Sequence, residues 1–226
     1  MNHIIPTVFA TSKREFTDRF NKLIKVSKAL QIDFMDGKFV RNKSISLSVI
    51  PDLKGYNNNF EAHLMVNNPQ KWISKLRKKG FKKLIFHYEA VEEDNKAVKL
   101  INKIKSLKIK AFIAINPETS INKIKDIINK ADGVLLMGVH PGKEHQQFIP
   151  SIYNKVKLIR KLNKKIPIQI DGGIDFSIAK KLGRLGVKCI NSGSFIYCSA
   201  NPGETIKRLN SYLVTTHKLS IIKRFK

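Results

Sequence analysis

The sequence predicts an α/β protein built as a single (β/α)8 TIM barrel. Apolar runs of period two alternate with stretches of helical period eight times along the chain. Nothing between these runs has the composition of an interdomain linker. The length, 226 residues, is close to what one such barrel requires. The barrel domain is predicted over residues 1–217, followed by a basic tail over 218–226.

The first strand is predicted over 4–9, with Thr7 near its end. The helix over 14–28 carries an apolar stripe of Phe16, Phe20, Leu23 and Ile24. The second strand, 30–35, points Leu30, Ile32 and Phe34 to one face and Gln31, Asp33 and Met35 to the other, and Asp36-Gly37 ends it with a turn signal. A loop rich in Ser and Asn over 41–59 is expected to hold one short helix near 47–54. The third strand, 60–66, places Glu61, His63 and Met65 on one face. Pro69 suits the first turn of a helix over 69–79. Strands are then predicted over 83–87, 110–115, 133–139, 166–170 and 187–191. The helices between and after them are expected over 92–107, 120–130 with Ser120 as N-cap, 150–163, 176–185 and 202–216.

The formal net charge of +26 raises the question of a polyanionic partner. Its distribution argues against nucleic acid: the lysines recur through the predicted helices (Lys22, Lys25 and Lys28, then Lys75, Lys78 and Lys79), which fits solvated outer faces. No aromatic-basic motif, helix-turn-helix signature or zinc finger accompanies them. Cys189 and Cys198 have neither a metal-binding nor a redox spacing and are expected as thiols in a reducing, cytoplasmic setting. The N-terminus has no basic leader and only a short apolar run, so no signal peptide is expected, and no apolar stretch is long enough to span a membrane.

In a barrel of this kind the active site collects at the C-terminal ends of the strands. Asp33, His63, His87, Asn116, His140, Asp171 and Ser194 all fall there. Met35, Met65 and Met137, the only methionines besides Met1, also fall at or near strand ends. Core filling accounts for them, and a polarizable lining beside a reacting centre would do so as well.

Six segments in fixed order carry a resemblance to a known family. They are Asp33-Phe34-Met35-Asp36-Gly37-Lys38-Phe39-Val40-Arg41-Asn42, His63-Leu64-Met65-Val66, Phe86-His87-Tyr88-Glu89-Ala90, Met137-Gly138-Val139-His140-Pro141-Gly142, Asp171-Gly172-Gly173 and Gly193-Ser194. Together, over residues 6–197, they resemble the ribulose-phosphate 3-epimerase (pentulose-5-phosphate 3-epimerase) family, whose fold is a ribulose-phosphate-binding barrel. The resemblance implies an isomerase of the pentose phosphate pathway that inverts C3 of a ketopentose 5-phosphate through an enediolate. It implies Asp33 and Asp171 as the acid/base pair, and Asp33, His63 and Asp171 as ligands of a divalent ion (Zn, Fe, Mn, Co or Mg). It also implies a substrate site made by Thr7, His63, Met35, Met65, Met137, Gly142, Lys143, Gly172, Gly173, Gly193 and Ser194, and a homo-oligomer. The glycines lie in the loops that bind phosphate in many such barrels.

The chain departs from the family pattern at three places. Gln31 stands where the family has a second metal-binding histidine; by strand parity it shares the face of Asp33. An amide oxygen is a weaker, harder ligand than imidazole, so the site is expected to hold metal less tightly and to favour a harder ion. Glu144 and His145 replace two glycines of the loop after strand six, and Thr7 replaces a serine. A related epimerase of a ketohexose 6-phosphate and a non-catalytic barrel binding a phosphorylated ligand or a polyanion are the alternative readings.

Overall fold

The computed structural model describes residues 4–214. Eight parallel strands close into one barrel in sequence order: β1 (Ile4–Val8), β2 (Ala29–Met35), β3 (Asn59–Met65), β4 (Lys83–His87), β5 (Lys110–Ile115), β6 (Gly133–Met137), β7 (Ile168–Asp171) and β8 (Cys189–Ser192), with β8 returning to β1. Seven α-helices lie among the described residues: α1 (Lys13–Ile24), α2 (Ile73–Lys79), α3 (Asp94–Ser106), α4 (Ile152–Leu162), α5 (Phe176–Arg184), the short α6 (Ser194–Tyr197) and α7 (Pro202–Val214). The predicted last turn of the final helix, the 218–226 tail and the end of the 1–217 domain fall outside the described residues.

The alternation read from the sequence is what divides the barrel into layers. Leu30, Ile32 and Phe34 of β2 join the apolar shell between strands and helices, as do Phe16, Phe20 and Leu23 of α1. Ser12 caps α1, its Oγ accepting from the Glu15 N–H at 3.2 Å, while the Glu15 carboxylate accepts from the Thr11 N–H at 2.8 Å. A second, inner apolar cluster is made by Ile85, Phe112, Ala114, Leu135, Met137 and Val139, which belong to β4, β5, β6 and the residues just after. The opposite side of the interior is polar, with Gln31, Asp33, Glu61, His63, Gln169, Asp171 and Asn191 all buried. One barrel interior is thus split between an apolar wall and a polar one.

Two predicted helices are corrected. Over 120–130 there are two 3₁₀ turns, Ile121–Lys123 and Ile128–Lys130, in place of a helix, although Ser120 does cap the first by accepting from the Asn122 N–H. Ile121, Ile124 and Ile127 are buried at a spacing of three, which suits 3₁₀ geometry, and β-branched residues with Asn and Asp support an α-helix poorly. Over 47–54 only a 3₁₀ turn forms, at Leu53–Gly55, because Pro51 lacks an N–H and restricts the residue before it. Strand β7 begins two residues later than predicted and ends one later: Pro167 supplies only its carbonyl, to the Val134 N–H, so the regular ladder starts at Ile168 and includes Asp171.

Gly183 marks the tightest contact between helices. A methyl group there would lie 2.2 Å from the Tyr212 carbonyl oxygen, so the absence of a side chain is what lets α5 rest on α7. Gly183→Ala should therefore destabilise the fold by about 1–3 kcal/mol and lower the melting temperature by about 2–12 °C. Lys181→Ala on the exposed face of the same helix should leave the melt unchanged.

Candidate active site

The polar wall converges at the C-terminal mouth of the barrel. Asp33 and His63 are register partners on β2 and β3, and Asp171 closes β7. One ligand atom from each lies within 4.8 Å of the others. His63 Nδ1 is 3.3 Å from Asp33 Oδ1 and 3.4 Å from Asp171 Oδ2. Gln31 reaches the same point from one turn of the pleat below: its Nε2 donates to Asp33 Oδ1 at 3.0 Å and to Asp171 Oδ2 at 2.5 Å. The amide oxygen of Gln31 faces away and accepts from Asn191 Nδ2 at 2.8 Å.

Burial pushes the Asp33 carboxyl up to about 6, even though the hydrogen bond and charge of His63 oppose it. Burial also works against the His63 imidazolium, but hydrogen bonds and negative charge from Asp171 and Asp33 outweigh it and raise that pKa to about 9. The far side of the His63 ring is held as firmly. Its Nε2 is 2.9 Å from His87 Nε2, the rings stack at 5.0 Å, and Phe39 packs on His87 at 4.8 Å. His87 Nδ1 in turn lies 3.4 Å from Glu89 Oε2. Burial and the neighbouring His63 hold His87 below the ordinary histidine range, so it is the neutral member of the pair.

Two carboxylate oxygens and one imidazole nitrogen converging on a point make a donor set that fits a divalent ion. His63 must then be neutral at Nδ1, with its proton on Nε2 facing His87, so metal uptake displaces a proton. His87 and Glu89 stood among the strand-end motifs without a role; Asn191 and Gln169 were not singled out at all. Strand parity could have found the last two, since Gln169 shares the inner face with Asp171 two residues on.

Above this point opens a cleft of about 880 Å³. Thr7, Met65 and Met137 line it, as do Gly172, Gly173, Gly193 and Ser194 on the side of β7 and β8. Thr7 Oγ1 is buried with no hydrogen-bond partner among the described residues. Met35 is buried and does not reach the cleft wall. His140, exposed at the rim, pairs with Glu118 at 2.9 Å. Gly172 and Gly173 have φ of +96° and +69°, and a Cβ on Gly173 would meet the Phe148 backbone at 2.8 Å.

Phe148 belongs to the loop after β6, which lies along the cleft despite its two lost glycines. Asn42 donates to the Gly142 carbonyl at 2.7 Å, and the Ile149 N–H donates to that of Gly138 at 2.8 Å. His145 takes the left-handed conformation, φ +59°, that glycine would adopt without strain. Glu144 forms an ion pair with Arg19 of α1 at 2.7 Å, which replaces backbone freedom with a side-chain latch. Gly142 and the exposed Lys143 also line the cleft.

The fold and this mouth define a (β/α)8 barrel protein with a cradle suited to a divalent ion. The chain belongs to the ribulose-phosphate 3 epimerase family, whose sequence profile matches residues 3–197. It is 32% identical over 211 residues to the ribulose-phosphate 3-epimerase of Mycobacterium leprae, spanning 91% of this chain and 92% of that protein. It is 31% identical over 211 residues to the cytoplasmic isoform of ribulose-phosphate 3-epimerase from Oryza sativa subsp. japonica, spanning 91% of this chain and 92% of that one. The fold also resembles the crystal structure of 3-hexulose-6-phosphate synthase from Salmonella typhimurium, with a TM-score of 0.72 at 14% identity over 95% of this chain and 100% of that one.

Because His87 orients the ring that faces the cradle, His87→Leu should weaken Mn²⁺ binding by about 10–100-fold, read by equilibrium titration, while the thermal melt stays cooperative.

Proposed function

We propose that the protein interconverts D-ribulose 5-phosphate and D-xylulose 5-phosphate by removing and returning the proton at C3. The observation that carries this reading is the meeting of two buried carboxylates, Asp33 and Asp171, from strands far apart in sequence, at the mouth of the barrel. The C3 hydrogen is acidic because it neighbours the C2 carbonyl. One carboxylate takes it to leave an enediolate, and the other returns a proton to the opposite face. General acid–base work of this kind needs two carboxylates held in different protonation states.

The remaining residues bind and orient. Thr7 offers the sugar a buried hydroxyl that lacks a protein partner. Met65 and Met137 give a polarizable apolar surface beside the reacting carbons, and Met35 stands next to Met65 in the strand register without reaching the cleft wall. Backbone N–H groups at Gly142, Gly172, Gly173, Gly193 and Ser194 take the phosphate, with Lys143 as a charge at the rim. Asp33, His63 and Asp171 would hold a divalent ion, and that ion supplies a Lewis acid for the enediolate oxygens. The same reading makes the protein a cytoplasmic homo-oligomer, which sedimentation tests. No helix among the described residues is long and apolar enough to cross a membrane.

Incubation with ribulose 5-phosphate in D₂O should yield xylulose 5-phosphate with deuterium at C3. No exchange with or without added divalent ion would sink the reading, and faster turnover of a ketohexose 6-phosphate would redirect it to the hexose series. Asp33→Asn and Asp171→Asn should each lower kcat by about 10²–10⁴-fold with the fold retained by circular dichroism. Lys143→Ala should raise KM by about two- to fivefold at low salt without changing kcat, as expected for one exposed charge on phosphate. An unchanged KM would remove Lys143 from the site.

A further inference from the structure

The direction in which Gln31 presents its amide is set at the far end of the barrel. Lys83 Nζ, a donor with no accepting capacity, contacts Glu61 Oε1 and lies 3.1 Å from Gln169 Oε1. With that oxygen engaged, Gln169 Nε2 donates to Glu61 Oε2 at 2.8 Å and to Asn191 Oδ1 at 2.6 Å. Asn191 Nδ2 then donates to Gln31 Oε1 at 2.8 Å. Gln31 is left with only its NH₂ group to face the two carboxylates and the Nδ1 of His63, 3.5 Å away. Gln31, Gln169 and Asn191 are fully buried, so water does not relieve a mismatch.

An amide can be written either way round on size alone, so its orientation must come from its partners. Turning any one of the three sets nitrogen against nitrogen, or oxygen against oxygen. Turning all three moves the conflict to the ends, with the Gln169 NH₂ against the Lys83 ammonium and its oxygen against Glu61, and the Gln31 oxygen against Asp33 and Asp171. A cation at one end and carboxylates at the other hold the whole chain in one sense.

We propose that Gln31 is a positioning residue and not a metal ligand: its NH₂ group clamps Asp33 to Asp171 where a fourth ligand would reach the ion, and the half-buried Lys83, paired with the buried Glu61, dictates this through Gln169 and Asn191. The inference rests on reading Asp33, His63 and Asp171 as the cradle of the epimerase site. A divalent ion there is held by three protein groups, and Gln31 competes with it for the carboxylate oxygens.

Binding of Mn²⁺ alone, followed by electron paramagnetic resonance, separates the two roles without turnover. Loss of epimerase activity and failure of this inference are therefore read independently. Gln31→Leu should bind Mn²⁺ as tightly as the parent protein or up to about tenfold tighter, since a competing donor is gone. Asn191→Leu, which releases the Gln31 oxygen from its donor, should tighten Mn²⁺ by about tenfold in the parent background and should change nothing when made in the Gln31→Leu background. A threefold or greater loss of affinity in Gln31→Leu alone overturns the proposal, as does Mn²⁺ binding by neither the parent nor Gln31→Leu. Should the variants fail to fold, a crystal of the parent protein with Mn²⁺ decides: the Gln31 amide outside the ion's ligand shell supports the assignment, and inside it overturns it.

Discussion

Two carboxylates inside a barrel are the constraint around which the rest of the structure is arranged. Removing a charged group from water is costly unless partners compensate, and here Asp33 and Asp171 lie a few ångströms apart, where each also opposes the other. The compensation is assembled from four strands. His63 offers a ring nitrogen to both, Gln31 offers an amide to both, and each of these is oriented by a further buried group, His87 or Asn191. The cradle is thus a network in which removing one member leaves another unsatisfied in a low-dielectric site.

This requirement explains why the barrel interior is not filled uniformly with branched apolar side chains. Ile85, Phe112, Ala114, Leu135 and Met137 pack one wall by burial alone, which supplies the stability that polar contacts do not. The other wall carries hydrogen bonds from the floor to the mouth. Lys83 joins the two: its ammonium contacts Glu61 and Gln169 and lies 4.4 Å from the centre of the Phe112 ring. A half-buried ion pair of this kind contributes little net stability against an apolar replacement, but losing Lys83 would leave the buried Glu61 without its cation. Its value here is directional, since an obligate donor at the floor determines which atom of each amide above it can donate.

The mouth shows a different solution to a local problem. The loop after β6 lacks two glycines expected at its turn, yet it still lies along the cleft because side chains hold it. Arg19 takes Glu144, Asn42 takes the Gly142 carbonyl, and Phe148 fits against the bare backbone of Gly173. Backbone permissiveness has been exchanged for long-range contacts between the loop after β6 and the segments that follow β1, β2 and β7. Thr7 and the glycines after β7 and β8 still line the space that this loop borders.

Much of this was legible in the sequence. Alternation along 30–35 sufficed to put Gln31 and Asp33 on one face, because a strand's side-chain period leaves no other choice. Eightfold alternation of strand and helix was enough for the barrel, and motif order for the family resemblance that implied a common site for Asp33, His63 and Asp171. The cap at Ser120 was local enough to anticipate, since it depends on neighbours within one turn; the cap at Ser12 is just as local but was not read. The helix expected over 120–130 was not, because isoleucines spaced for burial satisfy two kinds of turn and only the packing surface selects one. Which atom of Gln31 meets the carboxylates was beyond any local pattern. Periodicity encodes the face a side chain occupies, whereas the sense of a hydrogen bond depends on what stands opposite. For Gln31 that is Asn191, then Gln169, then Lys83, residues that only closure of the barrel brings into line.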